Sequence, residues 1–151
     1  MAHDIDLGQP AIFTPYDSAM APVRQVLARA HNQQPTFAKV TALMKRAHLI
    51  RYGQTTGDCK TKSLWLCERI GDPDLRFVVG KLYRRSRQDH AWLLWKHDGR
   101  WWILDPANAR RPLAADVARS DKYVPYYTYA RTGDYRHHAT SLLIASNTTP
   151  R

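Results

Sequence analysis

The sequence predicts an α+β fold in which N-terminal helices pack on an antiparallel β-sheet, and three observations carry that prediction. Apolar residues recur at helical spacing from Asp17 to Ile70. From Leu75 onward the spacing gives way to short runs rich in β-branched and aromatic residues. Asp98-Gly99 between two of those runs is a strong two-residue hairpin signal. Helices followed by strands is the α+β order, and 151 residues suffice for one domain with a single sizeable core.

Residues 1–16 read as an extended N-terminal arm, with Pro10, Pro15 and little periodicity. A first helix follows through Met20, Val23, Val26 and Leu27, and a second through Phe37, Val40, Leu43 and Ile50, with Gln34-Pro35 between them. The third helix places Cys59, Ser63, Leu66, Cys67 and Ile70 on one side, and Asp58 or Thr56 can cap it by accepting from first-turn amides. LRFVVGKLYRR, HAWLLWKH and RWWILDP read as strands. The Tyr-rich stretch from Tyr123 to Ala130 supplies another, which Pro125 places toward a sheet edge. His137-His138 near the C-terminus reads as a solvated tail, and no internal repeat appears.

A hydrophobic content of 44% and five tryptophans argue for a packed globule rather than a disordered chain. No apolar run approaches the ~20 residues a membrane span requires. MAHDIDLGQP lacks a basic-then-apolar signal, so the expectation is a cytoplasmic protein if the chain is complete, or a periplasmic or secreted one if a signal peptide has been removed. Cys59 and Cys67, eight positions apart on one helix, lie ~12 Å apart along its axis, beyond disulfide reach. Neither HExxH nor paired CxxC nor a calcium-loop pattern occurs, so no metal and no other cofactor is expected.

The chemistry concentrates in Cys59, His90 and Asp105. A thiol is a poor nucleophile until it becomes a thiolate, a form that an imidazole neighbour and a helix N-terminus both favour. Cys59 stands where the third helix begins, with Lys60 and Lys62 adding positive charge. If Asp98-Gly99 forms a two-residue turn, paired positions sum to 197, and His90 and Asp105 become diagonal neighbours on one face. A four-residue turn sets them directly opposite, whereas a three-residue loop sends them to opposite faces. Cys67 reads as a small buried hydrophobe.

GDC, then LCERIGDPDLRFVVG, then DHAWLLW, then GRWWILDPAN together resemble the transglutaminase-like superfamily of papain-fold enzymes, and within it the bacterial transglutaminase-like cysteine proteinases. The resemblance runs over residues 52–108, the expected catalytic core. It implies a papain- or transglutaminase-like fold with Cys59 as nucleophile, His90 as general base and acid, and Asp105 as the orienting carboxylate. It also implies an oxyanion donor upstream of the cysteine, for which Gln54 is the available side chain. The chain departs from the family pattern in the basic residues Lys60 and Lys62 after the cysteine, and in its short length.

A net charge of +10 and clusters at Arg84, Arg85 and Arg87, just before His90, and at Arg110-Arg111 suggest a basic rim. Such a rim attracts an acidic protein or peptide, an anionic glycan or nucleic acid, but no nucleic-acid-binding motif is present and no such partner is expected. The expectation is a cysteine peptidase or amidase working through a thioester on a protein or peptide substrate. The alternatives are amine acyl transfer of the transglutaminase type, and a non-catalytic binding protein on the same fold whose basic rim takes an acidic partner. Oligomeric state is not legible.

Overall fold

The computed structural model describes residues 5–12, 14–30, 34–50 and 58–137. Gln54, Thr56 and His138, and the C-terminal stretch SLLIASNTTPR, lie outside the described residues. The elements run β1 (Gln9–Ala11), α1 (Ala21–Ala28), α2 (Phe37–Leu49), α3 (Asp58–Ile70), β2 (Arg76–Tyr83), β3 (His90–His97), β4 (Arg100–Leu104), β5 (Leu113–Ala114), a 3-10 turn (Ala115–Val117), β6 (Lys122–Ala130) and β7 (Gly133–Arg136). The strands form one antiparallel sheet in the order β1-β7-β6-β2-β3-β4-β5. The α+β plan is therefore the observed one.

Each helix starts and buries where its sequence directs. Pro22 occupies the first turn of α1, where its missing N–H costs nothing. Thr36 Oγ1 accepts from the Lys39 amide and caps α2. The apolar stripes Met20, Val23, Val26, Leu27 and Val40, Leu43, Met44, Ala47 are buried. In α3, Ser63, Leu66, Cys67 and Ile70 are buried as the spacing predicts, and Lys62 joins them. Asp58 is the first helical residue. Its carboxylate complements the helix dipole from within the first turn.

Alternation along the strands splits the core in two. Phe77, Val79, Ala91, Leu93, Trp95 and Leu104 face the helices. Val78, Trp92, Leu94 and Ile103 face the other way, under Trp101, Leu113, Ala115, Ala118 and Tyr123. Trp95 is fully buried and its indole N–H donates to Asp72 Oδ2 at 3.1 Å, so the polar edge of this large core side chain is satisfied.

The β3-β4 hairpin has the register that a two-residue turn requires, with His97 opposite Arg100 and Leu93 opposite Leu104. Asp98 and Gly99 both have positive φ (51° and 74°), the signature of a type I′ turn. Two expectations need correction. The strand containing Pro125 lies inside the sheet, between β7 and β2. Pro125 faces Gly80 at the point where the β2-β6 register shifts, and β7 pairs with β6 only from Tyr127 onward. The N–H that proline lacks therefore falls at an irregularity, where the ladder does not need it. Gly80 permits the close approach there, since a Cβ on it would stand 2.1 Å from the Val124 carbonyl oxygen. His137 is not part of a solvated tail. It is buried, its Nε2 meets Thr128 Oγ1, and its Nδ1 lies 3.2 Å from Asp6 Oδ2, which ties the N-terminal arm to the sheet.

Candidate active site

The site forms where the start of α3 meets the start of β3. Ser63 Oγ donates to the Ala91 carbonyl at 3.3 Å, and Cys59, one turn earlier on the same side, reaches the Ala91 backbone and the His90 side chain. Ala91 presents only a methyl group toward the helices, so the helix can sit close to the strand. Burial works against a thiolate at Cys59, but hydrogen bonding to His90, the imidazolium charge and the amides of Ala91 and Lys60 outweigh it and lower the thiol pKa. Lys60 therefore assists through its amide. Its ammonium group donates to the Ala19 carbonyl, and that of Lys62 to the His48 carbonyl, so these lysines pin α3 to its neighbours.

His90 Nε2 lies 3.0 Å from Asp105 Oδ2, as the diagonal register requires. A carboxylate can only accept, so Nε2 carries the hydrogen and Nδ1 is left for the thiol. Burial opposes protonation of His90, but its bonds to Asp105 and Cys59 and the charges of both raise its pKa to about 9. Asp105 is 1% exposed. Burial alone would raise its pKa, yet His90, then Asn108 and Tyr123, hold it below the usual carboxylate range. Its Oδ2 accepts from His90, from Asn108 Nδ2 at 2.9 Å and from the Tyr123 hydroxyl at 2.8 Å.

Neither Asn108 nor Tyr123 was expected at the site. The Asn108 amide donates to the Asp105 carbonyl at 3.1 Å, closing a tight turn over D-P-A-N. The i to i+3 spacing of that turn was the available signal. Tyr123 lies eighteen positions beyond Asp105 and had no local signal.

Cys59 and His90 open onto a cleft of about 860 Å³ lined also by Asp58, Leu82, Ser86, Arg87, Gln88, Asp89, Ala107 and Asn108. Of the three rim arginines, Arg87 lines the cleft, while Arg84 and Arg85 are exposed outside it. Asp58 and Asp89 also line it, so the charge of the cleft is mixed. Cys67 is buried in the core, and burial pushes its thiol up to about 12. Both cysteines are free.

The chain has the fold of LapG from Legionella pneumophila. The EGTA-treated LapG structure matches with a TM-score of 0.54 at 16% identity, over 85% of this chain and 82% of LapG. The calcium-bound structure matches with a TM-score of 0.53 at 14% identity, over 89% and 93%. At such identity the likeness shows the fold, which is transglutaminase-like. No protein-family model and no curated protein matches the sequence. Among the described residues no group of three or more His, Cys, Asp or Glu side chains is arranged to hold a metal ion, and no helix is long and apolar enough to cross a membrane.

Proposed function

We propose that the protein is a cysteine peptidase in which Cys59 is the nucleophile, His90 the general base and acid, and Asp105 the carboxylate that orients His90. The observation that carries this reading is the continuous chain from a thiol of lowered pKa on an open cleft, through a half-buried imidazole, to a buried carboxylate behind it. LapG, which shares the fold, is a transglutaminase-like cysteine protease, and this supports a protein or peptide substrate.

The steps follow from the protonation states. The mutual hydrogen bond and charge of Cys59 and His90 favour thiolate and imidazolium together, lowering the thiol pKa and raising the imidazole pKa, and the reaction proceeds from that form. Sγ attacks the carbonyl carbon and forms the C–S bond, while charge develops on the carbonyl oxygen. The Cys59 backbone amide at the start of α3 and the side chain of Gln54 are the proposed donors to that oxygen. His90 then gives its proton to the departing amine, the C–N bond breaks and a thioester remains. Neutral His90 takes a proton from water, whose oxygen attacks the thioester and releases the acid and the thiolate. Arg87, Ser86 and Gln88 line the wall along which a peptide would lie.

Digestion of an unbiased peptide library by wild-type protein and by Cys59→Ala tests the proposal. Cleavage by the wild type and loss of cleavage in a variant with unchanged thermal unfolding is the expected result. Equal products from both proteins would refute it.

A further inference from the structure

Asp105 is held from two directions. Asn108 belongs to the same turn and moves with it, whereas Tyr123 arrives from β6, three strands away from β4 in the sheet. Both bonds, and that of His90, fall on Oδ2; Oδ1, also buried, has no hydrogen-bond partner among the described residues. The orientation of the carboxylate therefore depends on what holds a single oxygen. Tyr123 reaches it from a backbone with φ of +55°, a conformation an aromatic L residue rarely adopts. Its ring packs edge-to-face on Trp92 at 5.3 Å, and Trp92 in turn stacks on His90 at 5.8 Å with the rings 29° apart. The kink thus sets one side chain directly against Asp105 and, through Trp92, behind His90.

We propose that the Tyr123 hydroxyl is a positioning group that keeps Asp105 Oδ2 on the line of His90 Nε2, and so maintains the thiolate–imidazolium pair. The proposal rests on the peptidase reading above. Tyr123 does not line the Cys59 cleft and acts through Asp105. A strained backbone persists where the surroundings over-determine it, and here they consist of the hydroxyl bond, the Trp92 contact and Lys122, whose ammonium group lies 5.4 Å from the ring. Without the hydroxyl the carboxylate is free to turn its unpartnered Oδ1 toward the space vacated. His90 then loses part of the interaction that favours its protonated form, and Cys59 loses part of its imidazolium partner.

The test needs no substrate. The rate of Cys59 alkylation by iodoacetamide, followed across pH by mass spectrometry, reads both edges of the pair: thiolate formation at the acid side and His90 deprotonation at the alkaline side. In Tyr123→Phe the ring and its packing remain. The expected result is a narrower window, the acid edge moving up and the alkaline edge down by about half a unit each, with alkylation near the acid edge slowed about threefold. A merely structural tyrosine would alter thermal unfolding and leave both edges in place. Tyr123→Asn gives a second reading if the Phe variant does not fold. Asparagine is at ease at positive φ and is too short to reach Asp105, so it should narrow the window without a backbone penalty. Adding Tyr123→Phe to Asp105→Asn should move the edges no further. Edges unchanged from wild type in the folded variants would overturn the proposal. A wild type in which Cys59 shows no depressed edge at all would instead overturn the peptidase reading.

Discussion

The two cysteines give the most direct measure of whether the environment of Cys59 is that of a nucleophile. Burial pushes the Cys67 thiol up to about 12, whereas His90 and two backbone amides hold Cys59 below its ordinary value of 9.0. A gap of at least three units means that, near neutral pH, the thiolate fraction of Cys59 exceeds that of Cys67 by about 10³ or more. Thiolates of lower pKa are intrinsically less nucleophilic; with a Brønsted slope of ~0.45, three units return a factor of about 20. The net expectation is that Cys59 reacts at least ~50-fold faster, before the 3% exposure of Cys67 slows it further. Brief treatment with iodoacetamide at pH 7, followed by peptide mass spectrometry at several times, yields both rate constants from one sample. Comparable rates, or faster labelling of Cys67, would show that the start of α3 does not activate a thiol and would remove the nucleophile assignment.

Four further outcomes follow from the structure. Asp105→Asn should keep the shape of the turn but present Nε2 with the wrong partner, lowering turnover by roughly 10²-fold or more; combined with His90→Ala it should add almost nothing, because a broken set has little left to lose, and multiplicative losses would contradict the unit. The pH–rate profile should fall on its alkaline side near 9, where His90 gives up its proton, and an alkaline edge at the ordinary imidazole value would mean that Asp105 does not support it. The same raised pKa makes the His90 contribution to stability complete below about 6.5 and progressively lost as the pH climbs through about 9, which thermal unfolding across that range can follow. Gly80→Ala should destabilise by at least ~2 kcal/mol, since the added methyl meets a backbone carbonyl at 2.1 Å, and a variant as stable as wild type in urea would show that β2 and β6 can part there without cost.

What the chain states locally was legible, and what it states across distance was not. Asp98-Gly99 dictates a turn by backbone chemistry alone, so the register and the His90–Asp105 diagonal followed from two residues. The stripes of α1, α2 and α3 follow from spacing, because a helix repeats its burial every three or four positions. Pro125 misled because the rule that sends proline to a sheet edge concerns the missing N–H, and that need disappears at a bulge whose existence depends on Gly80, forty-five positions earlier. His137 misled in the same way, since its partners are Thr128 and Asp6. Tyr123 could not be found because neither its positive φ nor its approach to Asp105 is encoded in its neighbours.

The same distinction explains why the site is built as it is. Residues on one strand alternate between faces, so Ala91 points to the helices while His90 and Trp92 point away. Cys59 comes from the helix layer, and its contact with His90 is made at the first residue of β3. The thiol is therefore set by the packing of α3 on Ala91, and the imidazole by a different cluster: Asp105, Asn108, Tyr123 and Trp92. A change in the helical core and a change in the far-face cluster should alter the Cys59–His90 pair by separate routes, the first by displacing Sγ and the second by turning the ring. Between such distant positions effects are expected to add. Non-additivity is expected among Cys59, His90 and the residues that share Asp105 Oδ2, which touch one another and would mark the limits of the proposed catalytic unit.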